Sequence, residues 1–495
     1  MAKPASYILI KDATVIAEAG TSPLAHHDIL VRDDLIVAIG RDLAAPADGP
    51  VTTVRVPGCI AVPGFVDGHH HMWQQLLRGA ATDWTLFDYT VHMRSIFGSL
   101  FTPDDVYLAT HAAALSLLSN GVTSVLEHCH IINSPAHADA AVRALKDAGI
   151  RATFAYGFYQ NPPVTAGPAD GSGSGSGSGS LAAAPSSYDP AFTHEARLAD
   201  AARVRAAYFG SNDPARELVT FGVSPDEPES QPTEKTVREI AEARELGARL
   251  ITMHVAMGPC DGARRHIVQQ LADAGVLGPD LVFSHGASFT DGELAAIRAS
   301  GAGIVGTPDT ELQMGMGFPV VFRARDAGCN ACLGIDITSN QGNDFVAQMR
   351  LAIQVQRALQ NEQGGGLPTV VARKTAEVLH MGTLGGARVL QLDHLVGTLE
   401  VGKKADLALV ACDDLETLPV TDPVGAVVFH TSPAHINTVI VDGVVRKSGG
   451  KLVADTSKLR DDISRRGAEL NALAATCDLT EARVRWLKLL RGEPL

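Results

Sequence analysis

The sequence is short of positive charge: 41 lysines and arginines stand against 55 aspartates and glutamates, a formal net charge of −14 with histidine neutral. Nucleic acids and anionic membranes both select a basic footprint, so neither is expected as a partner. Long apolar runs are missing as well. No stretch approaches the roughly 18 apolar residues that a membrane-spanning helix needs. Met1-Ala2-Lys3-Pro4 leads into short strand-like runs, not the apolar core of a secretory leader. Cysteine is sparse and odd in number, with seven at 59, 129, 260, 329, 332, 412 and 477, which suits a reducing cytoplasm better than a disulfide framework. Cys329-Asn330-Ala331-Cys332 has redox or zinc-knuckle spacing, but no second CxxC accompanies it and apolar Leu333-Gly334-Ile335 follows. Buried packing is the expectation for that pair.

What is present is a chain of 495 residues, 45% hydrophobic and 19% charged, ample for a large core with an accessory domain. Short apolar runs separated by turn residues fill the first sixty positions, and a matching β pattern returns near the other end. There, Ile436-Asn437-Thr438-Val439-Ile440-Val441 meets the hairpin signal Asp442-Gly443. One accessory β-sandwich assembled from both ends, 1–60 and 396–455, is expected. Between them, over 61–395, strand-like and helix-like segments alternate as in an α/β fold of the (β/α)8 barrel type. The expected strands end near His71, Glu127, Tyr156, Val223, His254, His285, Gly306 and Asp336, with helical patterns at 104–119, 136–148, 234–245, 291–299 and 344–358. Residues 171–180 alternate strictly between glycine and serine, a flexible coil of natural or engineered origin, and 456–495 reads as a helical tail.

Pro63-Gly64-Phe65-Val66-Asp67-Gly68-His69-His70-His71 follows the apolar strand Cys59-Ile60-Ala61-Val62. Strand alternation turns His69 and His71 to one side and His70 away, so two imidazoles converge as half of a metal site. In a barrel, catalytic residues gather where the strands end. His254, His285 and Asp336 end later strands, and with the first pair they make a nitrogen- and oxygen-rich site suited to Zn²⁺ or Fe²⁺. Singly, each has an ordinary explanation as a packed core residue or helix cap. Five at one rim do not.

These motifs resemble those of the amidohydrolase superfamily, within it the branch of chlorohydrolases and cytosine-deaminase-like hydrolytic deaminases. The glycine-rich HxH run, Gly121-Val122-Thr123-Ser124-Val125, Ser284-His285-Gly286, Gly334-Ile335-Asp336 and Gly397-Thr398-Leu399-Glu400-Val401-Gly402-Lys403-Lys404-Ala405-Asp406 carry the resemblance over essentially the whole length. It implies one divalent metal, zinc before iron, held by His69, His71, His254 and Asp336. Asp336 and His285 would be catalytic, the first moving the proton of a metal-bound water and the second steadying developing negative charge. The implied reaction is attack by metal-bound hydroxide on a C–N or C–halogen bond of a small nitrogen-containing, heterocyclic substrate. The implied enzyme is cytoplasmic and homo-oligomeric, a dimer or tetramer. A metal-assisted lyase or hydratase, and a catalytically dead barrel used for binding, are the alternatives.

The chain departs from the pattern in one place. Deaminases of the branch carry HxxE after the fifth strand, where this chain has His254-Val255-Ala256-Met257, and methionine cannot transfer a proton. Asp309 is the preferred substitute acid, with Glu311, Glu127, His128, Asp226 and Glu227 as others. Gln74, Gln75, Trp84, Asp309 and Met257 are the expected substrate contacts.

Overall fold

The computed structural model describes residues 5–163, 186–261, 264–477 and 479–490, so the glycine-serine run at 171–180 lies outside the described residues. Eight parallel strands pair in chain order: Phe65–His70, Val122–Cys129, Arg151–Gly157, Val219–Ser224, Ile251–Val255, Leu281–His285, Gly303–Gly306 and Asn330–Leu333. The first seven are buried at every position, as a parallel sheet covered on both faces must be. Beyond the eighth strand, Asp336 N–H donates to the His69 carbonyl (2.9 Å) and His71 N–H to the Asp336 carbonyl (2.7 Å), bringing the last strand's exit onto the first. The expected barrel is therefore present.

Local sequence explains where its helices start. Thr102 caps Pro103–Ser119 and Thr290 caps Asp291–Ser300, each in a reciprocal box with the acid three residues on, Asp105 and Glu293. Pro135–Ala148, Thr233–Glu245 and Phe345–Gln363 also fall where the 3.6-residue pattern places helices. Cys329 and Cys332 are free and buried, and Cys332 packs where a side chain at Gly68 would otherwise stand.

The accessory unit is one mixed sheet of nine strands drawn from both ends of the chain. Its path runs from Lys451–Leu452 through Val444–Ser448, Ile436–Val441, Leu407–Val410, Ile60–Pro63, Tyr7–Val15 and Leu24–Arg32 to Leu35–Gly40, and Val51–Val54 also pairs with Tyr7–Val15. Leu407–Val410 lies antiparallel to Ile60–Pro63, which joins the two ends of the sequence. The Asp442-Gly443 turn has φ of 50° and 73°, the left-handed pair that a two-residue hairpin requires. Gly64 passes the chain from this sheet into the barrel, and a Cβ there would sit 2.1 Å from Thr123 Oγ1. Only glycine fits that crossing.

A buried ion pair fixes the sheet to the barrel. Arg151, opening the third barrel strand, donates from Nε (2.9 Å) and Nη2 (3.0 Å) to Asp406, and Nη2 also reaches Asp442 (2.8 Å). Removing one partner strands a buried charge, a loss of about 3–5 kcal/mol. Arg151→Ala is expected to lower the denaturation midpoint accordingly, and the paired change Arg151→Met with Asp406→Leu to cost less. Equal loss in both variants, measured by urea unfolding, would contradict the stranded-charge account.

Candidate active site

At the C-terminal rim of the barrel, His69, His71, His128, His254, His285 and Asp336 converge. His71 Nδ1–H donates to the His128 carbonyl (2.7 Å) and His254 Nδ1–H to Glu227 Oε1 (3.0 Å). Each therefore presents a bare lone pair on Nε2, and these two atoms lie 3.2 Å apart. Asp336 Oδ1 stands 3.2 Å from His69 Nε2 and 3.5 Å from His71 Nε2. Lone pairs facing at this distance repel unless a cation stands among them. A tetrahedral ion with bonds of about 2.0–2.1 Å separates its ligand atoms by about 3.3 Å, so the donor set fits one.

Burial suits the same purpose. It holds His69 down at about 4 and His71 well below the usual imidazole range, and neutral imidazole is the ligating form. Burial pushes Asp336 the other way, but the facing His69, with His285 and His71 near by, holds it well below the usual carboxylate range. His285 is raised: burial opposes its charge, while Glu311, Asp336 and Glu227 favour it. Its Nδ1 faces Thr307 Oγ1 (3.1 Å) and Glu311 Oε1 (3.6 Å), leaving Nε2 for the cavity. His285 and Asp336 both hold left-handed backbone, φ 76° and 73°, at a cost of about 1–3 kcal/mol each. That turn at the strand exit aims both side chains inward.

His71, His130, His254, His285 and Asp336 line the floor of a cleft of ≈ 860 Å³, its open mouth included. Carboxylates line one part, Glu227, Glu229 and Asp261, with Arg94 beside them; Met257, Met314, Met316, Leu86 and Trp486 supply apolar surface. Trp486 comes from the C-terminal helix Thr480–Leu490, and its Nε1–H donates to Ser95 Oγ (2.9 Å). The tail thus contributes to the cleft wall, a role that its sequence did not announce.

Of the expected substrate contacts, Met257 lines this cleft, whereas Gln74, Gln75, Trp84 and Asp309 stand behind or beside it. The chain after His71 turns into the buried segment Met72–Leu77. Gln74 there donates to Tyr89 Oη (2.6 Å) and accepts from Ser339 (2.7 Å), so it supports a wall residue instead of being one. Gln75 lies near Arg78 and Asn343, both at 3.4 Å, and Trp84 stacks on His92 at 4.3 Å. Asp309 sits in Pro308–Gln313 and accepts from Gln348 (2.6 Å). Among the other acids considered, Glu311 braces Thr307 N–H (2.9 Å) and Asp226 flanks Lys235.

Two further histidines join the cluster, His128 and His130. His128-Cys129-His130 repeats the HxH spacing, and the second strand runs to Cys129, two residues past its expected end. His128 belongs to the ring of donors with His69 and His254; its Nε2 is taken by Ser224 (2.5 Å) and Tyr159 (2.9 Å), and Nδ1 has no partner. His130 stacks on His71 at 4.1 Å and accepts from Trp73 Nε1 (3.1 Å). Glu229, within the short turn Pro228–Ser230, carried no sequence signal.

Comparison with known proteins adds to this geometry. The model of the Amidohydrolase family matches residues 60–446. The 5-methylthioadenosine/S-adenosylhomocysteine deaminase of Desulforudis audaxviator is 25% identical over 90% of this chain and 94% of its own. The 5′-deoxyadenosine deaminase of Methanosarcina barkeri is 25% identical over 94% of this chain and 98% of its own. A zinc-bound adenosine deaminase structure from Xanthomonas campestris superposes with a TM-score of 0.78 at 23% identity, covering 94% of this chain and 98% of that one. A zinc-bound atrazine chlorohydrolase variant from Arthrobacter aurescens gives 0.75 at 23% identity, covering 94% and 100%. At those identities the two structures bear on the fold alone.

Glu127 faces away from the cleft and gives a clean pH signature. Burial pushes it up to about 8, although the Met72 N–H (2.9 Å) favours its charge. A folded value above the unfolded 4.5 means that stability is present below about 4.5 and lost as pH rises through about 8. Glu127→Gln keeps the acceptor for Met72 and removes the titration. It should leave stability unchanged at the acid end and gain ~2–4 kcal/mol at pH 9 by urea unfolding; no gain at pH 9 would contradict the buried carboxyl.

Proposed function

This chain belongs to the amidohydrolase family and is a hydrolytic enzyme, and from that premise we propose that it removes an exocyclic amino group from a nitrogen heterocycle of nucleoside size, using one zinc ion held by His69, His71, His254 and Asp336. The observation that carries the reading is the pair of Nε2 lone pairs meeting at 3.2 Å beside the Asp336 carboxylate. Each imidazole is fixed from behind, His69 by Ser284 (2.9 Å), His71 by a carbonyl and His254 by Glu227, as metal-binding histidines are. The motifs shared with the family supply four donors without His128, although its unpartnered Nδ1 stands in the same ring as His69 and His254. Curated relatives along nearly the full chain are named deaminases of adenine-bearing molecules, which favours an amine over a halide as leaving group. Free cysteines at 59, 129, 329, 332, 412 and 477 support a cytoplasmic enzyme.

When bound, a divalent ion polarises the substrate and makes a water acidic enough to ionise near neutral pH. The chain's own groups do the rest. Asp336, kept ionised, accepts the proton of the attacking water and returns it to the departing nitrogen. His285, whose charged form Glu311 favours, donates from Nε2 to the oxygen on which negative charge gathers. Glu227 fixes the tautomer of His254. The intact donor set favours this over a dead barrel.

Ammonia release from 5′-methylthioadenosine, 5′-deoxyadenosine and S-adenosylhomocysteine, read with the adenine-to-hypoxanthine absorbance change, tests the reading. At least one is expected to react, and protein with about one equivalent of zinc that reacts with none would refute it. Asp336→Asn should reduce kcat by about 10²–10⁴. Glu227→Gln should weaken zinc binding about 10–100-fold by chelator competition.

A further inference from the structure

Hydrolysis of an amine from an aromatic ring needs a proton on the ring nitrogen as water adds, and Asp336 is occupied with the water's own proton. Met257, which lines the cleft three residues after His254, has none to give. The cleft nevertheless holds a carboxyl beside it. Glu229 Oε1 accepts from the N–H of Ala256 (3.0 Å), the residue immediately before Met257, so the side chain is tied to the place where Met257 enters the wall. Its Oε2 is buried and has no partner. Asp261, also buried, lines the same cleft, and its carboxyl stands near enough to disfavour a charge on Glu229. Two carboxyls so placed cannot both ionise at low cost; one keeps a proton.

We infer that Glu229 is the catalytic acid for the ring nitrogen, sharing its proton with Asp261. The inference rests on the hydrolytic reading above. Water oxygen bonds to the ring carbon and one water proton passes to Asp336. The C=N electron pair moves to the ring nitrogen, which takes the Glu229 proton. The amino nitrogen then takes the proton from Asp336 and leaves as ammonia with the C–N electron pair. The remaining hydroxyl proton restores the Glu229–Asp261 pair, leaving a ring carbonyl.

The electrostatics agree with this placement. Burial first, and the facing Asp261 next among the raising influences, push Glu229 up to about 7, against the Ala256 N–H and Arg265. Asp261 and Arg265 both follow the fifth strand, and Arg265 also grips the carbonyls of Pro228 (3.0 Å), Glu229 (3.3 Å) and Gln231. Glu227, in the same turn as Glu229, is directed at His254 instead.

The test has two arms on the zinc-loaded protein. In infrared difference spectra near neutral pH, the C=O stretch of a protonated carboxyl should disappear from the wild-type pattern in both Glu229→Gln and Asp261→Asn; a band unchanged by either substitution overturns the shared proton. In turnover of 5′-methylthioadenosine, 5′-deoxyadenosine or S-adenosylhomocysteine, Glu229→Gln should keep its zinc and lose about 10²–10⁴ in kcat. Its residual rate should lack the alkaline limb of the wild-type pH profile. Asp261→Asn, by removing the opposing charge, should move that limb to lower pH. Wild-type kcat in Glu229→Gln, or an alkaline limb kept in place in both variants, overturns the assignment. If the wild type turns over none of the three probes, the deaminase reading falls, and the infrared arm alone decides whether the pair shares a proton.

Discussion

Everything at the active rim depends on a backbone seam two hydrogen bonds long. Asp336 N–H reaches the His69 carbonyl and His71 N–H reaches the Asp336 carbonyl, so the exit of the eighth strand is locked onto that of the first. More than 260 residues of chain separate those partners, yet the seam places an aspartate within 3.2–3.5 Å of two imidazole nitrogens. Barrel closure and assembly of the site are one event. The left-handed backbone at Asp336 is part of the same arrangement, since extended backbone there would carry the carboxylate along the sheet.

The rim also sorts charge by burial. Imidazoles crowded in a dry floor stay neutral because neighbouring imidazoles and desolvation both oppose protonation. The carboxylate among them stays ionised because the same imidazoles favour it. His285 lies at the edge of this floor, where Glu311 can reach it, and is raised where its neighbours are lowered. One cluster thus holds imidazoles whose charge is opposed and one whose charge is favoured, and Glu311 beside His285 is part of that difference.

The fold was legible because its signals are periodic. Alternating apolar strands, capped helices with threonine and an acid three residues on, and the Asp442-Gly443 hairpin all act over a few residues, so the sequence carries them directly. His69, His71, His254, His285 and Asp336 were legible because they end apolar runs, and a barrel sends every strand end to one rim. Gln74, Gln75 and Trp84 follow the HxH run closely in sequence and Asp309 follows the strand beside that of Asp336, but such nearness fails once the chain turns into a helix. The segment Met72–Leu77 carries the glutamines behind the floor, and Pro308–Gln313 turns Asp309 toward Gln348. His128 needed the strand end placed two residues later, a shift within the ordinary error of reading a boundary. Glu229 lies in an irregular turn with no period at all.

That last gap has a physical cause worth following. Adjacent strands of a parallel sheet stand about 4.8 Å apart, less than the reach of a glutamate side chain. A carboxyl needed at the mouth of the fifth strand can therefore be supplied from the loop after the fourth, provided something fixes its direction. Here the Ala256 N–H supplies that direction and Arg265 fixes the loop that carries it. Ala256 itself sits at φ 53°, which is consistent with a backbone held in place to present that N–H. A motif defined by spacing along one strand exit describes only one of several chain routes to the same point in space. In a barrel the rim position of a functional group is set by geometry, and the strand that delivers it is open to exchange.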